Sequence, residues 1–572
     1  MKIWRINTKT QKLDITNLPA GWERLGGRGL IAKVLVDEVD PECDPLGSEN
    51  KLIFAPGLLV GHRLSSCDRI SIGGKSPLTG GVKEANAGGR TGLQITHLGC
   101  AALIFEDQPE LEEFSIVYLS KSECRFDDGS HLAGKGVYQS AAILVDDYGP
   151  DVAIALIGPA GEMKLTGAGI QNIDNDRVPS RIAARGGLGA VMGSKRIKAL
   201  VIDSRDGEQP EIDDLKAYRK AQKEYNRALL EHPQTKVYAD FGTAAMSRMC
   251  HSFGALPTRN FSEGNFEGLE GISAETMRDK LVKRGGESNT SHACMAGCVI
   301  KCSNVYADEN GKEIVSPLEY ETIGLMGSNL GIDDLDMIAR LNWEANDLGL
   351  DSIELGAALA VAAEGGEMEF GNGDQALSLI DEIRAGTPKG NALGNGAVAA
   401  GKAFNVSRVP AVKGQAMSAY DPRAIKGTGV TYATSPQGAD HTCGLTIRAK
   451  IDHLDPDIQV EVSRNGQIRT AGYDTLGVCA FAGFGFGAAP ETIPALLKAR
   501  YGWDAESDIL QRLGKETLIL EKKFNRAAGF SEQDDRLPEW MRKEKLPPQD
   551  AVFDVSDQNL DSVFSWIDEE GR

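Results

Sequence analysis

The 572-residue chain has no apolar run near the roughly eighteen to twenty residues that span a bilayer, and no low-complexity tract that would stay unfolded. Its first residues, MKIWRINTKTQKLDI, lack the apolar core of a signal peptide and a twin-arginine pair, so the expectation is a cytoplasmic protein. Positive charge is scarce: 62 Lys and Arg stand against 82 Asp and Glu, a net of −20. Such a surface repels nucleic acid and anionic membrane and favours solubility. Neither the dinucleotide fingerprint G-x-G-x-x-G nor the P-loop G-x-x-x-x-G-K-[ST] occurs. What remains is an ordinary globular composition, 41% hydrophobic and 25% charged, long enough for three or four domains and for burying a large cofactor.

In a reducing compartment the ten cysteines are thiols or metal ligands rather than disulfides. Cys43, Cys67, Cys100, Cys124, Cys250 and Cys443 are scattered and read as structural. Cys294, Cys298 and Cys302, in SHACMAGCVIKCSN, lie within nine residues of one another around the turn-forming Gly297. Three soft ligands so spaced suit an iron–sulfur cluster or zinc, and both need a fourth. His292 would supply it locally for zinc, but the run lacks the second C-x-x-C pair of ribbons and fingers. Cys479, in DTLGVCAF, is the distant candidate. The spacing does not match the three-cysteine loop of radical-SAM enzymes, and a cluster ranks above zinc.

Residues 1 to about 205 read as β-rich, with the runs KLIFAP, RISIGG, AALIFED, SIVYLS, DVAIALIG and IKALVID separated by glycine-rich turns. The glycines gather in GGRGL, KSPLTGG, ANAGGRTG and AARGGLGAVMGSK, where backbone amides can approach a bulky anion and Arg69, Arg90 and Arg185 can pair with phosphate. Each loop taken singly is equally well an ordinary tight turn. From about residue 212 the period becomes helical, with helices expected over 213–230 and 334–348, the latter capped by Asp333 or Asp334 and ended by Gly349, and another over 355–363. NDLGLD (346–351) then forms a helix-to-helix turn, and DTLGVC (474–479) repeats its pattern about 130 residues later. Two such turns suit two half-sites gripping two copies of one ligand.

GGRGL, GLLVG, RISIGGKSPLTGG, ANAGGRTG, ARGGLGAVMGSK, the cysteine triplet, PLEYET, NDLGLD, SPQGADH, DTLGVC and FNRAAGFSEQDDRLP follow one another in the order found in the aldehyde ferredoxin oxidoreductase family, which the chain resembles nearly end to end. The resemblance implies an α+β fold: a β-rich base domain over 1–208 holding a bis-pterin cofactor, then mainly helical domains over 209–408 and 409–572. It implies a tungsten or molybdenum bis-pyranopterin held by four dithiolene sulfurs, with a [4Fe-4S] cluster on Cys294, Cys298, Cys302 and Cys479. The first cysteine gap is three residues here and two in many members. Asp474, Gly477 and Val478 match one pterin turn and Gly349, Leu350 and Asp351 the other, where Asn346 replaces the leading aspartate. A Mg2+ ion joining the pterin phosphates would take the carbonyls of Asn86 and Ala183, beside Gly88, Gly89, Arg69 and the turn Arg185, Gly186, Gly187.

Glu321, in EYET, matches the active-site glutamate, with Glu319 as the neighbouring alternative, and His441, in GADH, matches the active-site histidine. A carboxylate in a desolvated pocket works as acid or base near neutral pH. The implied reaction oxidises an aldehyde and water to a carboxylate and passes electrons to ferredoxin or a small iron–sulfur subunit. The alternatives are the catalytic subunit of a low-potential tungsten reductase of the aromatic acyl-CoA type, and a non-catalytic zinc protein. A homodimer and a hetero-oligomer both occur among such relatives.

Overall fold

The computed structural model describes residues 1–62, 64–110 and 112–570. The apolar runs of the first two hundred residues become strands buried on both faces, which is why they read as continuous rather than alternating. They build two six-stranded sheets of one topology. The first runs Lys12–Asn17, Lys2–Asn7, Cys100–Glu106, Leu52–Pro56, Ile70–Lys75, Val82–Ala87. The second runs Cys124–Asp128, Ser115–Leu119, Ile197–Ile202, Ala153–Leu156, Ile170–Asn172, Arg181–Ala183. In each, the second and third strands pair parallel and all other neighbours antiparallel.

The helices follow the same repeat, Gly27–Glu38 matching Val137–Tyr148 and Thr91–His97 matching Leu188–Ser194. The latter pair begins at Thr91 and Leu188, and the strands after them at Cys100 and Ile197. That shared offset carries Asn86 onto Ala183, so the two carbonyls expected at one magnesium ion hold equivalent places in the two halves.

From Leu215 onward the chain is mainly helical. The helix expected over 213–230 spans Leu215–Glu231 with Asp214 as N-cap, and the next spans Leu335–Leu348 with Asp334 as N-cap. Ser352–Glu364 extends the expected 355–363 at both ends, because Asp351 caps it at Ile353 N. A three-stranded sheet, Asn289–His292, Ser303–Ala307 and Glu313–Val315, carries the cysteine loop between its first two strands. The largest apolar core runs from Ala160 to Ile567 and takes side chains from both sides of residue 408. We keep the division into 1–208, 209–408 and 409–572 as a proposal about chain order, since the packing is shared across its second boundary. Among the described residues no helix is long and apolar enough to cross a membrane.

Candidate active site and metal centre

Two helices end in the same way. Leu335–Leu348 stops at Gly349 (φ 75°, ψ 35°) and Gln459–Leu476 at Gly477 (φ 75°, ψ 30°), the left-handed conformation that glycine adopts without a Cβ penalty. The capping bonds also match. Gly349 N donates to Asn346 O (3.0 Å) and Leu350 N to Ala345 O (2.8 Å), while Gly477 N donates to Asp474 O (3.2 Å) and Val478 N to Tyr473 O (3.1 Å). NDLGLD and DTLGVC are thus one Schellman turn made twice.

Each half of the base domain holds one of these turns. Gly169 N donates to Gly349 O (2.9 Å) and Asp351 N to Gly167 O (2.9 Å), and in the other half Arg69 N donates to Gly477 O (3.2 Å) and Cys479 N to Ser66 O (2.8 Å). Gly158 and Gly57 follow equivalent strands, and a Cβ on either would overlap the backbone of its turn, at Leu348 O and at Gly477 N. The small residues therefore allow the close approach that the hydrogen bonds require.

The turns differ in charge. Asp474 accepts from Arg28 Nη1 (3.2 Å) and from Asn86 Nδ2 (3.3 Å), and Arg28 is held in turn by both oxygens of Glu521 (2.7 and 2.9 Å). Burial pushes the Asp474 carboxyl up to about 6 against the pull of Arg28. Asn346 instead donates to the Tyr138 hydroxyl (3.3 Å), and its carbonyl accepts from Gln171 Nε2 (3.3 Å). Tyr138 is stacked on Trp343, with ring centroids 5.4 Å apart. A neutral amide suits that setting, where an aspartate would be buried beside a hydroxyl rather than an arginine.

Arg69 Nε bonds Asn86 Oδ1, and its Nη2 donates to Asn86 O (3.0 Å), one of the two carbonyls singled out for magnesium. Ala183 ends its strand opposite Ile170 and is fully buried. Gly89, Gly186 and Gly187 all have positive φ, and Gly88 lies where a Cβ would stand 3.2 Å from Cys294 Sγ. Arg185 is spent on protein groups: Nε donates to Asp351 (3.2 Å), Nη1 to Ala439 O (2.5 Å) and Ser418 Oγ (3.3 Å), Nη2 to Ala416 O (2.5 Å). It positions Asp351 and the loops around His441. Arg90 does not join the cradle, because its guanidinium bonds the carbonyls of Pro150 (2.7 Å) and Asn175 (3.3 Å).

Cys294, Cys298 and Cys302 share one apolar cluster with Met295, Ile300 and Tyr238, Cys479 follows Val478 of that cluster and interacts electrostatically with the other three, and all four are free thiols. Ser66 joins two of them, with Oγ 3.3 Å from Cys298 Sγ and its carbonyl on Cys479 N. Cys294 is tied to the glycine loop by Gly89 N on its carbonyl (2.8 Å). The longer first gap is absorbed by a turn in which Met295 is buried and Gly297 has φ 72°. Burial pushes Cys294 up to about 12 and raises Cys302 and Cys479, and the thiols raise one another. Thiolates at such a site require a metal's positive charge. His292 is grouped with Asp174 and Asp176 rather than with the thiols: Nε2 faces Asp176 (2.7 Å) and Nδ1 faces Arg181 Nη2 (3.0 Å).

Glu321 and His441 meet. His441 Nε2 is 3.4 Å from Glu321 Oε1, a buried oxygen without a hydrogen-bond partner, while Glu321 Oε2 accepts from Ala419 N (2.8 Å). The backbone after Glu321 is a π-turn over Ile323–Gly327, a distortion that often accompanies functional side chains. Glu319 faces away. It accepts from Thr243 Oγ1, lies on the side of Arg181 and Cys302, and has its pKa raised by burial. The other ring nitrogen, His441 Nδ1, is 2.8 Å from Ser418 Oγ. An arginine only donates, so Ser418 accepts from Arg185; with its own hydrogen turned to Nδ1 it would leave Nε2–H toward Glu321.

Ser66, Ser418, Arg28 and Gln171 are the participants that motif reading did not assign. Arg28 lay inside GGRGL and Ser418 in none of the motifs; contacts with Glu521, 493 residues away, and with Arg185 and His441, 233 and 23 residues away, give them their partners. Glu84 Oε1, Gln171 Oε1 and Glu321 Oε1 are buried without hydrogen-bond partners. The first is on the strand that carries Asn86, the second bonds the Asn346 turn, and the third faces His441. Orphaned acceptor oxygens beside glycine turns fit a ligand that offers N–H or O–H donors and lies close to the backbone.

Comparison with known proteins shows the family. The model of the aldehyde ferredoxin oxidoreductase N-terminal domain matches residues 3–204, and that of domains 2 and 3 of the same enzyme matches residues 220–565. The chain is 34% identical to a tungsten-containing aldehyde ferredoxin oxidoreductase of Pyrococcus horikoshii, with 96% of this chain and 92% of that protein covered. It is 27% identical to an aliphatic sulfonate oxidoreductase, WOR-like subunit, of Pyrococcus furiosus, covering 80% and 74%. Among solved structures, the active site complex BamBC of benzoyl coenzyme A reductase in complex with 1,5 dienoyl-CoA has the same fold, with a TM-score of 0.80 at 19% identity over 100% of this chain and 94% of that one. The chain belongs to the aldehyde ferredoxin oxidoreductase family.

Proposed function

We propose that the protein oxidises an aldehyde to its carboxylate at a tungsten or molybdenum bis-pyranopterin, using one water and releasing three protons and two electrons. A [4Fe-4S] cluster on Cys294, Cys298, Cys302 and Cys479 would supply a one-electron path to ferredoxin or a partner iron–sulfur subunit. When bound, the metallocofactor supplies oxygen transfer and a two-electron store. The turns at Asn346, Gly349, Leu350, Asp351 and at Asp474, Gly477, Val478 would hold the two pterins. The carbonyls of Asn86 and Ala183 would hold Mg2+ between the phosphates, the former on the lone pair that Arg69 does not use.

Glu321 Oε1 and His441 Nε2, 3.4 Å apart, form the proton-handling pair. Glu321 Oε1, the oxygen without a partner, would take a proton from the water or the hydrated aldehyde, with His441 Nε2 facing that carboxylate and Ser418 holding the ring in place. Cys294, Cys298, Cys302 and Cys479 would bind the cluster. Among the described residues no three of these sulfurs lie within 4.8 Å of one another, whereas the edge of a zinc tetrathiolate is about 3.8 Å. The observation that carries the reading is the position of Cys479 at the end of one of two matched turns, where a cluster and a pterin would share a loop. Identity near one third to aldehyde oxidoreductases favours the aldehyde reaction, and the likeness to the benzoyl-CoA reductase complex speaks for the fold alone.

The test is aldehyde-dependent viologen reduction by anaerobically purified protein across a substrate panel, with metal analysis of the same sample. Glu321→Gln is expected to lower kcat about 100-fold or more at unchanged tungsten or molybdenum content. A fully loaded Glu321→Gln variant of undiminished rate would remove Glu321 from the reaction.

A further inference from the structure

In a chain of net charge −20, the helix Leu215–Glu231 carries Lys216, Arg219, Lys220, Lys223 and Arg227 against Glu224 and Glu231. At 100° per residue the five cations fall within about 100° of one another on the helix wheel, opposite Tyr218, Ala221, Tyr225 and Leu229, which are buried. All five are exposed, and among the described residues none has an ion-pair partner. A single-sign stripe on a protein of the other sign gains nothing for folding, since its members repel one another at i, i+4. Leu230, 58% exposed, closes the stripe at its C-terminal end.

The buried face of this helix reaches the cysteine centre. The Tyr225 hydroxyl donates to Ser65 O (2.9 Å), Val299 N donates to Ser65 Oγ (3.1 Å), and the next residue, Ser66, is 3.3 Å from Cys298 Sγ. Tyr225 also stacks on Phe486 (4.2 Å), in the short helix that follows Cys479. The basic stripe therefore lies about one helix diameter, roughly 10–12 Å, outside the layer that touches the cysteines. Lys301, between Cys298 and Cys302, is likewise exposed and has no ion-pair partner among the described residues.

We propose that the outer face of Leu215–Glu231 is the docking site for a small, acidic iron–sulfur electron carrier, which takes electrons from the cysteine centre one at a time. The proposal rests on the electron-transfer reading above for the direction of flow, and on charge and position for the site. An acidic carrier would be repelled by most of this surface and drawn to this stripe, which orients the encounter over the cluster and raises its on-rate.

The experiment compares the holoenzyme with its Arg219→Glu/Lys223→Glu/Arg227→Glu variant. Binding of an acidic bacterial-type ferredoxin is measured by calorimetry in a salt series, and aldehyde-dependent viologen reduction serves as a parallel reading. The expected result is a Kd raised about tenfold or more at low salt, a gap that narrows as salt is added, and an unchanged viologen rate. Arg219→Lys/Arg227→Lys should bind as the wild type does, because charge rather than shape is at work. An equal Kd for wild type and triple variant would overturn the docking site, as would wild-type binding to anionic lipid vesicles without binding to ferredoxin. A wild type that binds ferredoxin through the stripe but oxidises no aldehyde would leave the docking site standing and count against the aldehyde reaction.

Discussion

Ser418 shows how far a single hydroxyl is constrained. It accepts from Arg185 and faces His441 Nδ1 at 2.8 Å, from where its own hydrogen would set which imidazole nitrogen carries hydrogen in the neutral ring. It is a positioning residue. Ser418→Ala should lower kcat about tenfold with little change in KM, and Ser418→Thr should restore most of the rate. In 15N-imidazole-labelled protein the His441 nitrogens should lose their distinct donor and acceptor shifts in the alanine variant alone; an unchanged spectrum would rule the role out. Glu354 offers a second check at this scale. Burial and Asp351 push it up to about 7 from an ordinary 4.5, against Arg185 and the amides of Ala416 (2.9 Å) and Ala397 (2.9 Å). A raised carboxyl stabilises the fold fully below about 4.5, and that contribution is lost as pH rises through about 7. Wild-type Tm should therefore fall relative to Glu354→Gln between pH 5 and 8, by the equivalent of on the order of 3 kcal/mol. Parallel Tm curves for the two proteins would refute the shift.

The two Schellman turns are the elements proposed to hold the pterins, and each is only as well placed as the glycine packed against it. Gly57→Ala and Gly158→Ala would each put a Cβ into turn backbone, so both should purify with reduced tungsten or molybdenum and pterin while retaining near-native secondary structure. Gly487→Ala, where an added Cβ meets nothing within 4 Å, should retain full content. Full content in all three would show that turn placement does not govern loading. The turns were legible in the sequence because glycine after an amphipathic run has one economical meaning, and the repeat of NDLGLD in DTLGVC announced a pair. The strands were legible because apolar runs bounded by glycine have few other uses. The matching of one sheet to the other was not, since it resides in hydrogen-bond order rather than in residue identity. Nor was the allocation of arginines: Arg69, Arg90 and Arg185 look alike in their glycine loops, yet one holds Asn86, one ties surface carbonyls and one is locked to Asp351.

At the scale of the molecule, the duplicated base domain presents two equivalent edges, and the helical part lays one turn on each. The pseudo-symmetry is broken where function needs it. Asp351 in the first turn caps a helix and binds Arg185, while its counterpart in the second turn is Cys479. The Asp351 carboxylate on Arg185 therefore belongs to the first turn and a thiol to the second. Electrons would leave from the second turn, toward the basic helix. The most direct test of this arrangement is low-temperature electron paramagnetic resonance of anaerobically purified, metal-loaded protein before and after addition of aldehyde. Aldehyde should generate the signal of a reduced iron–sulfur cluster in the wild type, and Cys298→Ala should lack it. Protein with full iron and tungsten or molybdenum that gave no such signal with any aldehyde, or a Cys298→Ala variant whose signal was unchanged, would contradict it.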